Sequence, residues 1–312
     1  MRAFIFPGQG AQAIGMGKEV ADQYPQAMAV FQEVDDALGE KLSKLIWEGD
    51  IETLTLTQNA QPALMATSLA CMAALNAEGV DVTAAQFVAG HSLGEYSALA
   101  AAGSITIADT ARLLRIRGLA MQEATPVGIG AMAAILGLSF NTVKDIAEKA
   151  SQGDVCQAAN DNDPSQVVIS GHLAAVERAC MIAKEAGAKR ALMLPVSAPF
   201  HCELMGPAAS KMAEALDDVE ILAPKVPLIA NVIADDTSDP SSIRSLLVDQ
   251  VTGSVRWRES VEFMARHGVT ETYEIGSGKA LSGMVKRTSK DIATFNAGTA
   301  AEIKAIAQEL LS

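Results

Sequence analysis

The chain has 312 residues, 49% hydrophobic and 20% charged, with 24 Gly and 11 Pro, which excludes disordered, collagen-like and low-complexity classes and leaves room for one large core. Lys plus Arg number 24 against 37 Asp plus Glu, and a net charge of −13 disfavours nucleic acid and acidic membranes as partners. Cys71, Cys156, Cys180 and Cys202 stand apart without C-x-x-C spacing, as expected of reduced thiols in a cytoplasmic protein rather than a disulfide scaffold or a metal site.

In chain order, RAFIF at 2–6 reads as a buried strand that stops at the turn signal Pro7-Gly8, and its N-terminal context lacks the cationic and apolar stretches of a targeting segment. A glycine-rich loop follows and is expected to enter a helix. From about 18 to 46, Val20, Tyr24, Met28, Val30, Phe31, Val34 and Leu38 recur at helical spacing, and helices continue to about 75. The longest apolar stretch, 63–75, falls short of the roughly 18 to 20 residues that a bilayer requires, so it reads as a buried helix and no membrane span is expected. QFVAG at 86–90 reads as a second strand, ending in a sharp turn before the helix SLGEYSALAAAG.

Between about 125 and 197 the pattern becomes GAMAAILGL, a helix at 141–151, QVVISG, a helix at 173–186 and ALMLPV: strand, helix, strand, helix, strand. This predicts a compact two-helix unit inserted into a larger α/β body, which resumes with the parallel-type strands PLIANV at 227–232 and TYEIG at 272–276. No internal repeat interrupts this order.

Gly90-His91-Ser92-Leu93-Gly94 matches G-x-S-x-G in the strand-to-helix context of a nucleophile elbow, where glycines on both sides allow a strained turn that lifts the Ser92 hydroxyl beside a helix N-terminus. A Gly-rich turn with a capping serine would look similar. Four histidines could serve as its base. His91 adjoins the serine and is expected to point off the opposite side of the turn, His172 lies in the inserted unit and His267 in a charged helical stretch, which leaves His201 on the Pro-containing loop Val196-Ser197-Ala198-Pro199-Phe200. An acyl-transfer site also needs oxyanion donors: the elbow supplies the Leu93 N–H, and the loop after the first strand places Gln9 to supply a second. Gly8, Gly10 and Ala13 also satisfy the dinucleotide pattern G-x-G-x-x-A, but Asp35 and Asp36, at the acidic position, fall in a helical pattern instead of at a strand end.

FPGQGAQ at 6–12, TQNAQPAL at 57–64, GHSLGEYSALAAAG at 90–103, RGLAMQEA at 117–124, NDNDPSQVVISG at 160–171, VSAPFHCELM at 196–205, NV at 231–232 and EIGSGKALSGMVKR at 274–287 occur together and in order. The chain thereby resembles, over nearly its whole length, the malonyl-CoA:acyl-carrier-protein transacylases of bacterial fatty-acid synthesis. The resemblance implies an α/β fold: an α/β-hydrolase-like core with a parallel sheet, residues 1–124 and 198–312, and an inserted small ferredoxin-like subdomain, residues 125–197. It makes Ser92 the acylated nucleophile, His201 the base, and Gln9 with Leu93 the oxyanion donors. It makes Arg117 the clamp for the malonyl carboxylate, a role that the parallel N–H pair of a guanidinium suits and a Lys cannot match; an exposed helix cation is the competing reading.

In the family a backbone carbonyl near the position of Gln250 holds the His N–H where hydrolases use a carboxylate, so the base is more weakly assisted. Asn160 and Asn162 resemble positions near the thioester donor, though Asx turns in a loop would look alike. Phe200 fits family variants that exclude branched extender units, or else packs in the core. The implied reaction is ping-pong transfer of malonyl from malonyl-CoA to the phosphopantetheine thiol of acyl carrier protein, by a cytoplasmic monomer with no cofactor or metal of its own. Carrier proteins are acidic and so is this chain, so docking requires a local cationic face, for which Lys189, Arg190, Lys286 and Arg287 are the candidates; solvated surface charges are the alternative. A polyketide-pathway acyltransferase, a serine esterase or thioesterase, and a silent binding module stay open on the sequence alone.

Overall fold

A computed structural model describes residues 1–196 and 198–312. Ser197, the last residue of the expected insert, lies outside them. The chain starts with β1 (Arg2–Phe6), whose run of apolar residues alternates between two buried faces: Phe4 and Phe6 join one core, Ala3 and Ile5 the other. The loop after β1 does not enter a helix directly. It runs to Gly17, and the helical stretch expected to 46 divides into α1 (Lys18–Gln23), α2 (Pro25–Leu38) and α3 (Leu42–Glu48). Pro25, lacking an N–H, starts a new helix, and Gly39 ends it in the left-handed conformation at φ 66°. Then come α4 (Ile51–Thr55) and α5 (Thr57–Ala77), which contains the 63–75 stretch and is buried over most of its length. Among the described residues no helix is long and apolar enough to cross a membrane.

Next follow β2 (Phe87–Gly90), α6 (Leu93–Ala101) and α7 (Ile107–Glu123). The insert comprises β3 (Gly130–Leu136), α8 (Phe140–Ser151), β4 (Cys156–Asp163), β5 (Gln166–His172), α9 (Leu173–Glu185) and β6 (Arg190–Met193). The main body resumes with α10 (Gly206–Asp217), β7 (Leu228–Ala230), β8 (Asp235–Thr237), α11 (Pro240–Thr252), α12 (Trp257–Arg266), β9 (Glu271–Ile275), α13 (Ala280–Thr288), β10 (Ala293–Ala297) and α14 (Ala300–Leu311).

The first sheet has the order β10-β9-β1-β2-β7-β8, parallel throughout except for the antiparallel edge strand β8. The second is antiparallel, in the order β4-β5-β3-β6. With its helices after the first and third strands, this is the ferredoxin-like arrangement. It has four strands where the sequence pattern suggested three. The missed strand β4 reads CQAANDND, a polar run with register shifts, yet it is almost wholly buried.

β4 also joins the insert to the body. Ala159 and Asp161 exchange backbone hydrogen bonds with Val255, both at 2.9 Å, and the buried carboxylates of Asp161 and Asp163 pair with Arg258 and Arg287, each at 2.8 Å. Because β1 and β2 run in parallel register with Phe6 beside Gly90, the loops that leave them emerge side by side at the carboxyl edge of the sheet, where ligands bind in open α/β folds.

Candidate active site

Ser92 occupies the turn between β2 and α6 at φ 55°, ψ −111°, a conformation that costs a non-glycine residue roughly 1–3 kcal/mol. The flanking glycines act through close approach: a Cβ on Gly94 would lie 2.2 Å from the Phe6 carbonyl oxygen, and one on Gly90 would overlap the Gly94 carbonyl. β1 and the start of α6 can therefore pack directly, and the strain is concentrated on the serine.

His201, itself at φ 58°, brings Nε2 to 2.8 Å from Ser92 Oγ. Its Nδ1 lies 2.9 Å from the backbone carbonyl oxygen of Gln250, near the end of α11. A carbonyl can only accept, so Nδ1 carries the proton and the Nε2 lone pair faces the serine hydroxyl. Burial, reinforced by the Arg117 charge, pushes the His201 pKa down to about 3, so the imidazole is neutral at ordinary pH.

Arg117 lies on α7 with only 1% exposure, which removes the reading of an exposed helix cation. Nη1 donates to Gln61 Oε1 at 2.7 Å; Nη2 donates to Gln250 Oε1 at 2.7 Å and to Ser92 Oγ at 3.1 Å. Its guanidinium sits 5.6 Å from the centre of the Tyr96 ring. Among the described residues no carboxylate forms an ion pair with it, so a buried positive charge faces the nucleophile held only by neutral groups.

The Leu93 N–H opens α6 and so has no acceptor within its own helix. The Ser92 N–H, by contrast, is committed to Asn231 Oδ1 at 2.8 Å. Gln9 lies exposed on the loop after β1 and lines the same cleft, of about 450 Å³, as Ser92, Leu93, Arg117, Phe200 and His201. Methionines and aliphatic residues, including Met121, Met132, Leu194 and Met284, make up much of its remaining wall. A larger depression of about 770 Å³ beside α8 holds neither Ser92 nor His201.

The model of the acyl transferase domain matches residues 3–305. The malonyl CoA-acyl carrier protein transacylase of Bacillus subtilis is 49% identical over 294 residues, covering 94% of this chain and 92% of that protein. That of Escherichia coli K12 is 48% identical over 285 residues, covering 91% and 92%. The acyl-carrier-protein-S-malonyltransferase of Bartonella henselae has a TM-score of 0.97 at 55% identity, covering 100% of this chain and 99% of that one. A malonyl-transacylase in complex with its type II PKS acyl-carrier protein reaches 0.96 at 41% identity, covering 99% of each chain. The chain belongs to the malonyl CoA-acyl carrier protein transacylase family.

The remaining histidines fit the elimination that singled out His201. His172 Nδ1 accepts the Val155 N–H at 2.9 Å, and His267 caps α12 and stacks on Phe263. His91 does not simply turn away: it lines the cleft, with Nε2 2.9 Å from Asn162 Oδ1 and its ring tilted against Trp257. Asn160 and Asn162 are not loop residues in Asx turns. They sit on the buried strand β4 and face the cleft.

Of the four cations considered for docking, none lines the cleft. Arg287 is tied to Asp163 and serves the contact between insert and body, while the Lys189 methylenes lie over Gly137. Exposed Arg190 and Lys286 stand on β6 and α13, elements whose neighbouring residues Leu194 and Met284 reach the cleft wall.

Sequence reasoning missed three polar groups. Gln61 holds Arg117. Asn231, just past β7, ties the Ser92 N–H to the Gly90 carbonyl, to which its Nδ2 donates at 2.7 Å. Glu95, fully buried in the first turn of α6, accepts from Gln250 and Asn231, and its burial raises its pKa to about 7 against those hydrogen bonds and the Arg117 charge. An acid in the otherwise apolar run LGEYSALAAAG was the available signal.

Proposed function

We propose that this protein transfers the malonyl group from malonyl-CoA to the phosphopantetheine thiol of acyl carrier protein through an acyl-serine, supplying extender units for fatty-acid synthesis. The observation that carries the reading is the line from the Gln250 carbonyl through His201 to Ser92 Oγ, set against a buried guanidinium that makes no direct ion pair among the described residues. In the first half-reaction His201 Nε2 takes the Ser92 hydroxyl proton as Oγ bonds to the thioester carbon. The C–S bond breaks, and the CoA sulfur leaves with that proton from His201. The carrier thiol then reverses these steps. Leu93 and Gln9 supply the N–H groups for the oxyanion, and Arg117 pairs with the free malonyl carboxylate.

A neutral imidazole fits the role of a base. A carbonyl behind it stabilises imidazolium less than a carboxylate would, which suits transfer to a thiol over hydrolysis. Asn160, Asn162 and Phe200 would contact the thioester arm and the acyl group. The reading divides the chain into a large domain of residues 1–124 and 198–312 and an insert of residues 125–197 that roofs the cleft. It also takes the enzyme as a cytoplasmic monomer without a resident cofactor, CoA and phosphopantetheine arriving as parts of its substrates.

The test is intact-mass measurement after incubation with malonyl-, acetyl- and methylmalonyl-CoA, with and without holo-carrier protein. A malonyl adduct on Ser92 that is discharged by the carrier thiol is expected, and Ser92→Ala should abolish both steps. Turnover with Ser92 unmodified, or discharge to water as fast as to carrier, would overturn the proposal.

A further inference from the structure

One buried oxygen connects the three groups that the proposed reaction needs. Glu95 Oε2 accepts the Asn231 backbone N–H at 2.9 Å and Gln250 Nε2 at 3.0 Å. Each donor residue leads directly to the reacting centre. The Asn231 side chain spans the elbow, accepting the Ser92 N–H and donating to the Gly90 carbonyl, so it sets the strained turn that aims Oγ. The Gln250 backbone carbonyl orients His201, while its side-chain Oε1 accepts from Arg117. Gln250 Nε2 also donates to the Ser92 carbonyl at 3.0 Å.

The orientation of the Gln250 amide follows from this arrangement. A carboxylate can only accept and a guanidinium can only donate, so with Glu95 on one side and Arg117 on the other the NH₂ must face the acid and the carbonyl oxygen the cation. Without the Glu95 acceptor, the NH₂ keeps only the Ser92 carbonyl on that side, and the Asn231 backbone N–H loses its acceptor. Nucleophile, base and cation arrive on the turn before α6, the loop before α10, and α7, and their direct contacts with one another are single hydrogen bonds at Ser92 Oγ. A buried carboxyl is expensive to keep, and an apolar residue would pack in the first turn of α6 at lower cost.

We infer that Glu95 is a positioning residue that holds Ser92, His201 and Arg117 in a common register, acting through Asn231 and Gln250 without touching either substrate. The inference rests on the acyl-serine reading above. What it requires is an acceptor oxygen at the Oε2 position; charge alone does not suffice.

The experiment compares wild type with Glu95→Ala, Glu95→Gln and Glu95→Asp in two assays. One is the rate at which a fluorophosphonate labels Ser92, followed by intact mass, which needs no malonyl group. The other is kcat and KM for malonyl-CoA with holo-carrier protein. Glu95→Ala should lower labelling and kcat by about 100-fold, the scale of a displacement of about 1 Å in a reacting group, with KM little changed. Glu95→Gln, which keeps an oxygen at the right reach, should recover most of the rate. Glu95→Asp, which keeps the charge and withdraws the oxygen, should recover less.

A folded Glu95→Ala enzyme that labels and turns over at the wild-type rate overturns the inference. If that variant does not fold, the order of the other two decides: Asp equal to or faster than Gln overturns it. Failure of wild type to transfer malonyl sinks the acyltransfer reading while the labelling order still reports on Glu95. A flat labelling order in an enzyme that does transfer malonyl sinks the positioning role alone.

Discussion

Arg117→Ala separates what the guanidinium does for any acyl group from what it does for a carboxylate. The substitution removes the hydrogen bonds to Gln61, Gln250 and Ser92 whatever the substrate, and it leaves two buried amide oxygens without their donor. Each such orphan costs about 1–3 kcal/mol, which should appear as lost thermal stability and as a loss of activity common to malonyl- and acetyl-CoA. The part specific to malonyl is the pairing of a guanidinium at 1% exposure with the substrate carboxylate, and truncating one partner of a buried charged pair costs about 2–5 kcal/mol. At about 1.36 kcal/mol per decade, the ratio of kcat/KM for malonyl-CoA to that for acetyl-CoA should fall by about 30- to 5,000-fold. Because acetyl-CoA suffers the same orphaned amides, it serves as the internal control. The Arg117 charge also disfavours imidazolium at His201, so its removal raises the His201 pKa and moves the acid limb of activity upward for both substrates. Initial rates with the two thioesters across pH measure both effects. A malonyl-to-acetyl ratio that survives the substitution would refute the clamp.

Three further expectations follow from the same geometry. The active form of His201 is neutral and its pKa is pushed down to about 3, so kcat/KM for the acylation step should persist on acidification well below the ordinary histidine value of 6.5; an acid limb centred at 6.5 or above in stopped-flow acylation would contradict the buried base. Gly94→Ala places a Cβ 2.2 Å from the Phe6 carbonyl oxygen, backbone against backbone, and should destabilise the fold by about 3 kcal/mol or more in urea titrations; a variant as stable as wild type would show that β1 and α6 need not touch. Charge reversal at Lys189 and Arg190 should raise KM for carrier protein and spare malonyl-CoA, whereas reversal at Arg287 should lower thermal stability by leaving the buried Asp163 unpaired; equal effects of Lys189 and Arg190 reversal on both substrates would remove those two from docking.

Much of the framework was legible along the chain because it depends on neighbours in sequence. The apolar run of β1, the strand-turn-helix spacing around Ser92 and the alternation of the insert all impose local geometry. What was misread also has local causes. β4 is rich in Asn and Asp and looks like a loop, because Asn162, Asp161 and Asp163 are satisfied by His91, Arg258 and Arg287 instead of by water. The apolar period after 18 marks a helical stretch without its breaks, because it continues across Pro25 and Gly39. Gln250 was expected for its carbonyl, but its side chain, which bridges Arg117 and Glu95, gave no local signal.

The sequence by itself determined which residue would be strained into a nucleophilic turn, since steric exclusion around glycines acts over a few bonds. Only the tertiary structure decided how that serine meets its partners. His201, Asn231 and Gln250 lie 109, 139 and 158 residues further along the chain, and they converge on Ser92 because parallel register places the loops after β1, β2 and β7 at one sheet edge, while packing of α7 and α11 beside it closes the polar network. Hydrogen bonds have a reach of about 3 Å in space and none along the sequence, so partners of this kind are assigned by the fold.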